Sequence, residues 1–154
     1  MQTILSFIVF LLLCFAVAGF GTLFKPDVWY AALTKPDWMP PDWLFGPVWT
    51  VLYVLIASAG WLVWRTAGWQ GATRAFALYA LQLLLNGFWS WFFFSLHRPG
   101  LAFIDIVALW LAIVGNLFAF YAVRPVAGWL LVPYLVWVSF ATALNFAIWR
   151  LNAA

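Results

Sequence analysis

Apolar positions divide the chain into five long hydrophobic runs, 3–23, 44–64, 74–96, 101–121 and 127–149, separated by polar or proline-containing connections. A hydrocarbon core of about 30 Å is crossed by roughly 20 apolar residues in a helix, so each run is long enough to span a bilayer. The expected fold class is therefore an all-α integral membrane protein, a five-transmembrane-helix bundle forming one domain over residues 1–154. The later connections carry Arg65, Gly68, Gly71, Arg98, Pro99, Gly100, Arg124 and Pro125 and leave no length for a soluble unit.

Composition agrees, since 68% of the 154 residues are hydrophobic and 7% charged, more apolar surface than a soluble domain of this size could bury. Ala16-Val17-Ala18 has the small residues of a signal cleavage site, but no Lys or Arg precedes Lys25, so the first run is expected to stay as a span. Leu13 is too bulky to precede a lipidated cysteine. Cys14 is then a lone thiol, which rules out an internal disulfide.

With five spans, Lys25, Lys35, Arg98 and Arg150 fall on one side and Arg65, Arg74 and Arg124 on the other. This near balance sets no orientation, and the expected location is a bacterial cell membrane, inner or outer. The net charge of +3 is dispersed over loops and helix ends, which suits interfacial anchors and no nucleic-acid partner.

The first connection interleaves Trp29, Trp38 and Trp43 with Pro26, Pro36, Pro40 and Pro41, and Pro47 and Trp49 follow at the head of the second run. Such backbone is expected in extended and turn conformations, forming an aromatic lid at the bundle mouth that invites a flat apolar ligand. Tyr30 and Trp38 are lid candidates for contact with it.

Polar residues inside the runs mark faces that avoid lipid. The third run carries Gln82, Asn86 and Ser90 one turn apart, flanked by Trp89 and Phe93; these amides either bond between helices or line a cavity. Tyr134, Trp137, Ala141 and Asn145 share a face of the fifth run, and Trp49, Tyr53, Ala57 and Gly60 a face of the second. Trp49, Trp89 and Trp137 are pocket candidates, whereas Trp61, Trp64, Trp69 and Trp129 suit an interfacial belt. In the fourth run Asp105 lies near the helix start, where either the helix dipole and interfacial water would stabilise it or it serves protein contacts or ligand chemistry, and Asn116 shares its face. Gly87 with Ser90, and Ala108 with Ala112, have the small-residue spacing of close helix contact, within one bundle or across a homodimer.

One His, His97, and one Cys supply no metal-ligand spacing, and no catalytic triad, phosphate loop or carboxylate pair is present. No obligatory cofactor is expected. Capture of a ligand would rest on stacking and shape.

The loop residues Trp29-Tyr30, Leu33, Lys35-Pro36, Trp38, Pro40-Pro41, Trp43 and Phe45 resemble the translocator protein family. So do Trp49, Leu52-Tyr53, Gln82, Asn86, Trp89, Val132-Pro133-Tyr134-Leu135, Trp137, Ala141-Thr142, Leu144-Asn145 and Arg150. That family includes bacterial tryptophan-rich sensory proteins and the mitochondrial peripheral-type benzodiazepine receptor. The resemblance implies five-helix proteins, often homodimers, with a pocket closed by the first loop. It implies binding of porphyrins such as protoporphyrin IX and haem, of isoquinoline carboxamide and benzodiazepine drugs, and in some members of cholesterol. Trp49, Trp137, Tyr30 and Asn86 match family pocket positions, and Ala141 a position where a bulkier residue alters binding. Phe146 replaces the Tyr of the animal sterol stretch, although Leu144 and Arg150 are kept, so sterol binding by that stretch is not expected.

The expected function is a membrane receptor, sensor or transporter for tetrapyrroles, with ligand contacts from Tyr30, Trp38, Trp49, Tyr53, Asn86, Trp89, Trp137, Ala141 and Asn145, and with Lys35 meeting a propionate at the rim. The resemblance also implies an alternative, light-dependent porphyrin breakdown through Trp49 and Trp137. A small-molecule or sterol carrier is a third.

Overall fold

The computed structural model describes residues 2–153. Met1 and Ala154, the two ends of the expected domain, lie outside them. Helix α1 spans Gln2–Thr22. The first loop contains a short helix α2, Val28–Ala32, and a 3-10 turn, Asp42–Leu44, that leads into α3, Phe45–Gly71. Then follow α4, Thr73–Ser90, and α5, Pro99–Val123, with α6, Pro125–Leu130, and α7, Val132–Asn152, making the fifth span between them. The chain is a multi-pass integral membrane protein.

Local chemistry sets the boundaries. Pro99 and Pro125 open α5 and α6 at positions whose N–H would be unpaired in any case. Pro133 has no N–H to continue the ladder, so the fifth span breaks at Leu131, whose own N–H turns to Gly128 O at 3.0 Å. Near its end α3 bends at Gly68, where φ is +64°, a conformation glycine adopts without strain. The second, fourth and fifth spans outrun their hydrophobic runs: α3 continues from Trp64 to Gly71, and α5 gains two residues at each end. The third span departs from α-helix at Trp91–Ser95, a π turn closed by Leu96 N–H on Trp91 O at 3.0 Å.

The first loop also departs from its expectation. Prolines at 26 and 36 leave room between them for α2, because Asp27 caps it by accepting the Tyr30 N–H at 3.1 Å. The lid thus has a helical turn of its own.

The spans form a ring in which α1 touches α3 and α4, α4 packs on α5, α5 on α7, and α6 closes back onto α3. Tyr134, Phe120, Ile56, Val63 and Val138 are fully buried at its centre, while Leu12, Ile104, Leu111, Phe118 and Val136 face outward. In α1 the buried residue is Cys14, so that helix is the most weakly embedded wall. Helices α3 and α7 meet sparsely, through Phe45 with Trp137 and Trp49 with Tyr134 at ring separations of 5.7 and 6.2 Å.

Small residues allow the close approaches. A Cβ on Gly128 would fall 2.6 Å from Tyr121 Cβ, and one on Gly60 2.8 Å from Tyr79 Cζ. Gly87 faces Phe20 and Val17 of α1, and Ala112 is buried, so both make contacts inside the bundle, while Ser90 and Ala108 are half-buried.

Gly128→Ala is expected to destabilise the fold by about 1–3 kcal/mol through overpacking against Tyr121 and the Leu117 carbonyl. Gly19→Ala, with nothing within 4 Å, is expected to be neutral or stabilising by up to about 1 kcal/mol. Thermal unfolding of both variants in one detergent checks the pair.

Candidate functional site

A cavity of about 480 Å³ opens inside the ring at its loop end. Its walls come from every span: Phe15, Ala18 and Gly21 of α1, Trp49 and Tyr53 of α3, Asn86 and Trp89 of α4, Ile106 and Leu109 of α5, and Trp137, Ala141 and Asn145 of α7. Phe93 and Phe94 of the π turn, and Pro26, Tyr30, Met39 and Asp42 of the loop, complete it. Of the nine residues expected to meet a ligand, eight line this space. Trp38 does not: it is 51% exposed and packs its ring edge-on against Phe140 at 5.8 Å.

Hydrogen bonds between helices hold the wall. Tyr53 Oη donates to Asn86 Oδ1 at 2.7 Å, Asn86 Nδ2 to Tyr134 Oη at 2.7 Å, and Tyr134 Oη to Gln82 Oε1 at 2.9 Å. Four side chains of α3, α4 and α7 thereby form one continuous chain. The two readings of the α4 stripe separate along it, since Gln82 is fully buried as an interhelical bond and Asn86 is both bonded and cavity-lining. A second link runs from Trp89 Nε1 to Asn145 Oδ1 at 2.8 Å and from Asn145 Nδ2 to Pro99 O at 2.9 Å, fixing α7 against the start of α5.

The aromatic rings present mixed orientations. Trp89 stacks on Phe93 at 5.2 Å, Trp49 lies 5.6 Å from Tyr53 at a tilt, and Phe45 meets Trp137 edge-on at 5.7 Å. Trp137 Nε1 is shut off from open space and has no partner among the described residues, so this ring offers the cavity an apolar surface. Asp105 is 6% exposed, with a buried and unpartnered Oδ2. Asn116 is buried on the same face and donates to Ala75 O at 3.1 Å.

The loop is tied down at two points. His97 Nε2 lies 3.0 Å from Asp27 Oδ2, and the His97 ring stacks on Trp29 at 4.4 Å and 17°. At the other side Thr34 N–H donates to Asn152 Oδ1 while Asn152 Nδ2 donates to Thr34 O, each at 2.9 Å. Backbone strain accompanies the first tie, as His97 has a φ of +52°. The Tyr30 N–H and, less strongly, the His97 ring hold the Asp27 carboxyl below the usual carboxylate range. Burial pushes the Tyr30 phenol up to about 12, and the Asp42 carboxylate adds to this. Lys35 is engaged within the loop: its Nζ donates to Tyr30 O at 2.7 Å and sits 4.4 Å above the Tyr30 ring.

A five-span ring with an aromatic cavity under a tethered first loop defines a small polytopic membrane protein built around an internal apolar chamber. The chain matches the TspO/MBR family over residues 9–150 and belongs to it. It is similar to the Tryptophan-rich protein TspO of Chlorobaculum tepidum, 48% identical over 145 residues that cover 91% of each chain. The Tryptophan-rich sensory protein of Cereibacter sphaeroides is 42% identical over 146 residues, 95% of this chain and 90% of the relative. The human Translocator protein is 41% identical over 126 residues, 80% of this chain and 75% of the relative.

Sequence reasoning missed the α1 wall, because Phe15, Ala18 and Gly21 carry no polar marker. It also missed the Asp27–His97 tie, which joins residues 70 positions apart.

Asp27→Ala is expected to raise hydrogen exchange of amides 28–33 several-fold at neutral pH by removing the cap of α2 and the His97 contact. Because the folded Asp27 value is depressed, its contribution is fully present above the ordinary carboxylate value near about 4 and is lost as pH falls through the folded value. Exchange corrected for intrinsic rates should therefore hold from neutral pH to about 5 and rise only below about 4.

Proposed function

We propose that the protein is a membrane receptor of the sensory or translocator kind that takes a tetrapyrrole, protoporphyrin IX or haem, into the cavity between its helices. The observation that carries this reading is the chamber itself: about 480 Å³, walled by Trp49, Trp89, Trp137, Tyr30 and Phe93, within the size range of small-molecule sites. A wide aromatic plate gains most from such walls, because burial removes its faces from water while ring edges and faces contact it. The names of the relatives, one sensory and one translocator, support a role in signalling or movement of a ligand rather than in its covalent turnover. The tethered loop supports a lid function, since Tyr30 and Met39 lie over the chamber while Asp27 and Asn152 hold the segment in register.

Binding here requires no bond-making group. The ligand would enter beneath the loop, displace whatever occupies the apolar chamber and leave its polar edge at the mouth, with order in the loop reporting occupancy.

Titration of the purified protein with protoporphyrin IX, followed by tryptophan fluorescence, should be saturable. Trp137→Leu and Asn86→Ala should each weaken it by about 1 kcal/mol or more, Trp137 by loss of a ring face and Asn86 by loss of the Tyr53 and Tyr134 partners that shape the wall. Helical content by circular dichroism should be kept in both. Amides 28–37 should exchange more slowly with saturating protoporphyrin; equal rates with and without it, or unchanged titrations in both variants, count against the reading.

A further inference from the structure

Arg65, Arg74 and Arg124 are far apart in the chain, and the fold brings them to one end of the bundle, opposite the first loop, where α3 runs out, α4 begins and α5 stops. The turn between α3 and α4 and the last turns of α5 border a groove of about 380 Å³, lined by Gln70, Thr73 and Arg74 on one side and by Ala119 and Val123 on the other. Arg124 follows directly on Val123, and its Nη1 lies 3.5 Å from Thr66 Oγ1 of α3. Next to Thr66, Arg65 sits over the Trp61 ring at 5.4 Å. All three arginines are exposed, and none has a carboxylate partner among the described residues.

No acidic side chain offsets them. The four acids of the chain are Asp27, Asp37 and Asp42 in the first loop and Asp105 in the loop-proximal turns of α5. The loop end therefore mixes signs, whereas the arginine end presents positive side chains alone. Trp64, Trp69 and Trp129 stand exposed around it, the belt of rings that marks a headgroup layer. From the groove toward the middle of the bundle, Leu78 of α4 lies against Gly115 of α5, and one turn further Leu81 and Leu111 are exposed. An apolar seam thus leads away from the charged groove.

We propose that this end of the bundle binds an anionic phospholipid, with the phosphate held by Arg74 and Arg124, Arg65 adding to the field, and an acyl chain lying along the seam between α4 and α5. A guanidinium presents planar donors that match two phosphate oxygens at once, and with no carboxylate nearby those donors have no internal competitor. Gly71 and Ala72 at the turn leave room for a headgroup in the groove. A zwitterionic lipid brings its own cation to the same place, so the gain from three like charges falls to the anionic lipid. The site lies at the opposite end from the chamber and is independent of what the chamber takes.

The test titrates the full chain in neutral detergent with phosphatidylglycerol or phosphatidylcholine of identical acyl chains and counts retained lipid by native mass spectrometry. Phosphatidylglycerol should bind roughly fivefold or more tighter than phosphatidylcholine at low salt, a gap that narrows as salt screens the exposed charges. Arg74→Gln and Arg124→Gln should each reduce the preference by about threefold, and the double variant should bring the two lipids to within about twofold. Substitutions at such exposed positions leave the fold intact, which circular dichroism checks. Lys25→Gln removes one positive charge at the loop end and should leave the preference as in wild type. Equal binding of the two lipids to wild type, a preference kept by the double variant, or one lost equally in Lys25→Gln overturns the proposal. Millimolar glycerol 3-phosphate, which has the phosphate without the acyl chains, should not displace phosphatidylglycerol; full displacement would make this a site for soluble anions and overturn the lipid assignment.

Discussion

Hydrocarbon offers no hydrogen bonds, and the interior of this protein is organised around that constraint. Tyr53, Asn86, Tyr134 and Gln82 are buried between the helices, and each side chain bonds to the next, with Gln82 Nε2 left without a partner among the described residues. Leaving one such group unpaired costs about 1–3 kcal/mol, so the chain acts as a set of pins fixing the rotation of α3, α4 and α7 about their own axes. Rotation decides which aromatic rings face inward. The apolar chamber therefore owes its shape to polar contacts beside it, and the Trp89–Asn145–Pro99 link repeats the arrangement on the opposite wall.

The mouth obeys different physics. There the backbone is within reach of water, prolines restrict it, and the ties to the bundle are an exposed His–Asp pair and a reciprocal amide pair between Thr34 and Asn152. Contacts of this kind are individually weak and compete with solvent, in contrast to the buried pins below. The chamber thus has a rigid floor and sides with a roof held by bonds that can be exchanged. The π turn lies between the two regimes: its added residue aims Phe93 and Phe94 into the chamber and brings His97 to the loop.

Much of this was legible in the sequence because spans and lipid-avoiding faces have local periodicities. Five hydrophobic runs became five spans, and the stripe through Gln82 and Asn86 and the face from Tyr134 to Asn145 pointed inward. What escaped notice lacked a local signature. Helix α2 depends on one capping carboxylate between prolines, and the π turn arises in an all-aromatic stretch, WFFF, that reads as ordinary helix. Trp38 was grouped with the other loop tryptophans by composition, but Phe140 holds it outside the chamber.

Membership of the TspO/MBR family places these contacts in a compact frame whose wall and roof both rely on the last helix. Trp137, Ala141 and Asn145 line the chamber, Tyr134 joins the buried pins, and Asn152 at the far end of α7 holds the loop. A chain is made from its first residue to its last. While the ribosome is still adding α7, Asn86 has no Tyr134 to receive its amide and Thr34 has no Asn152 to meet it. The earlier spans must wait in the bilayer as an incomplete arc, and the chamber comes into existence only once α7 has been added.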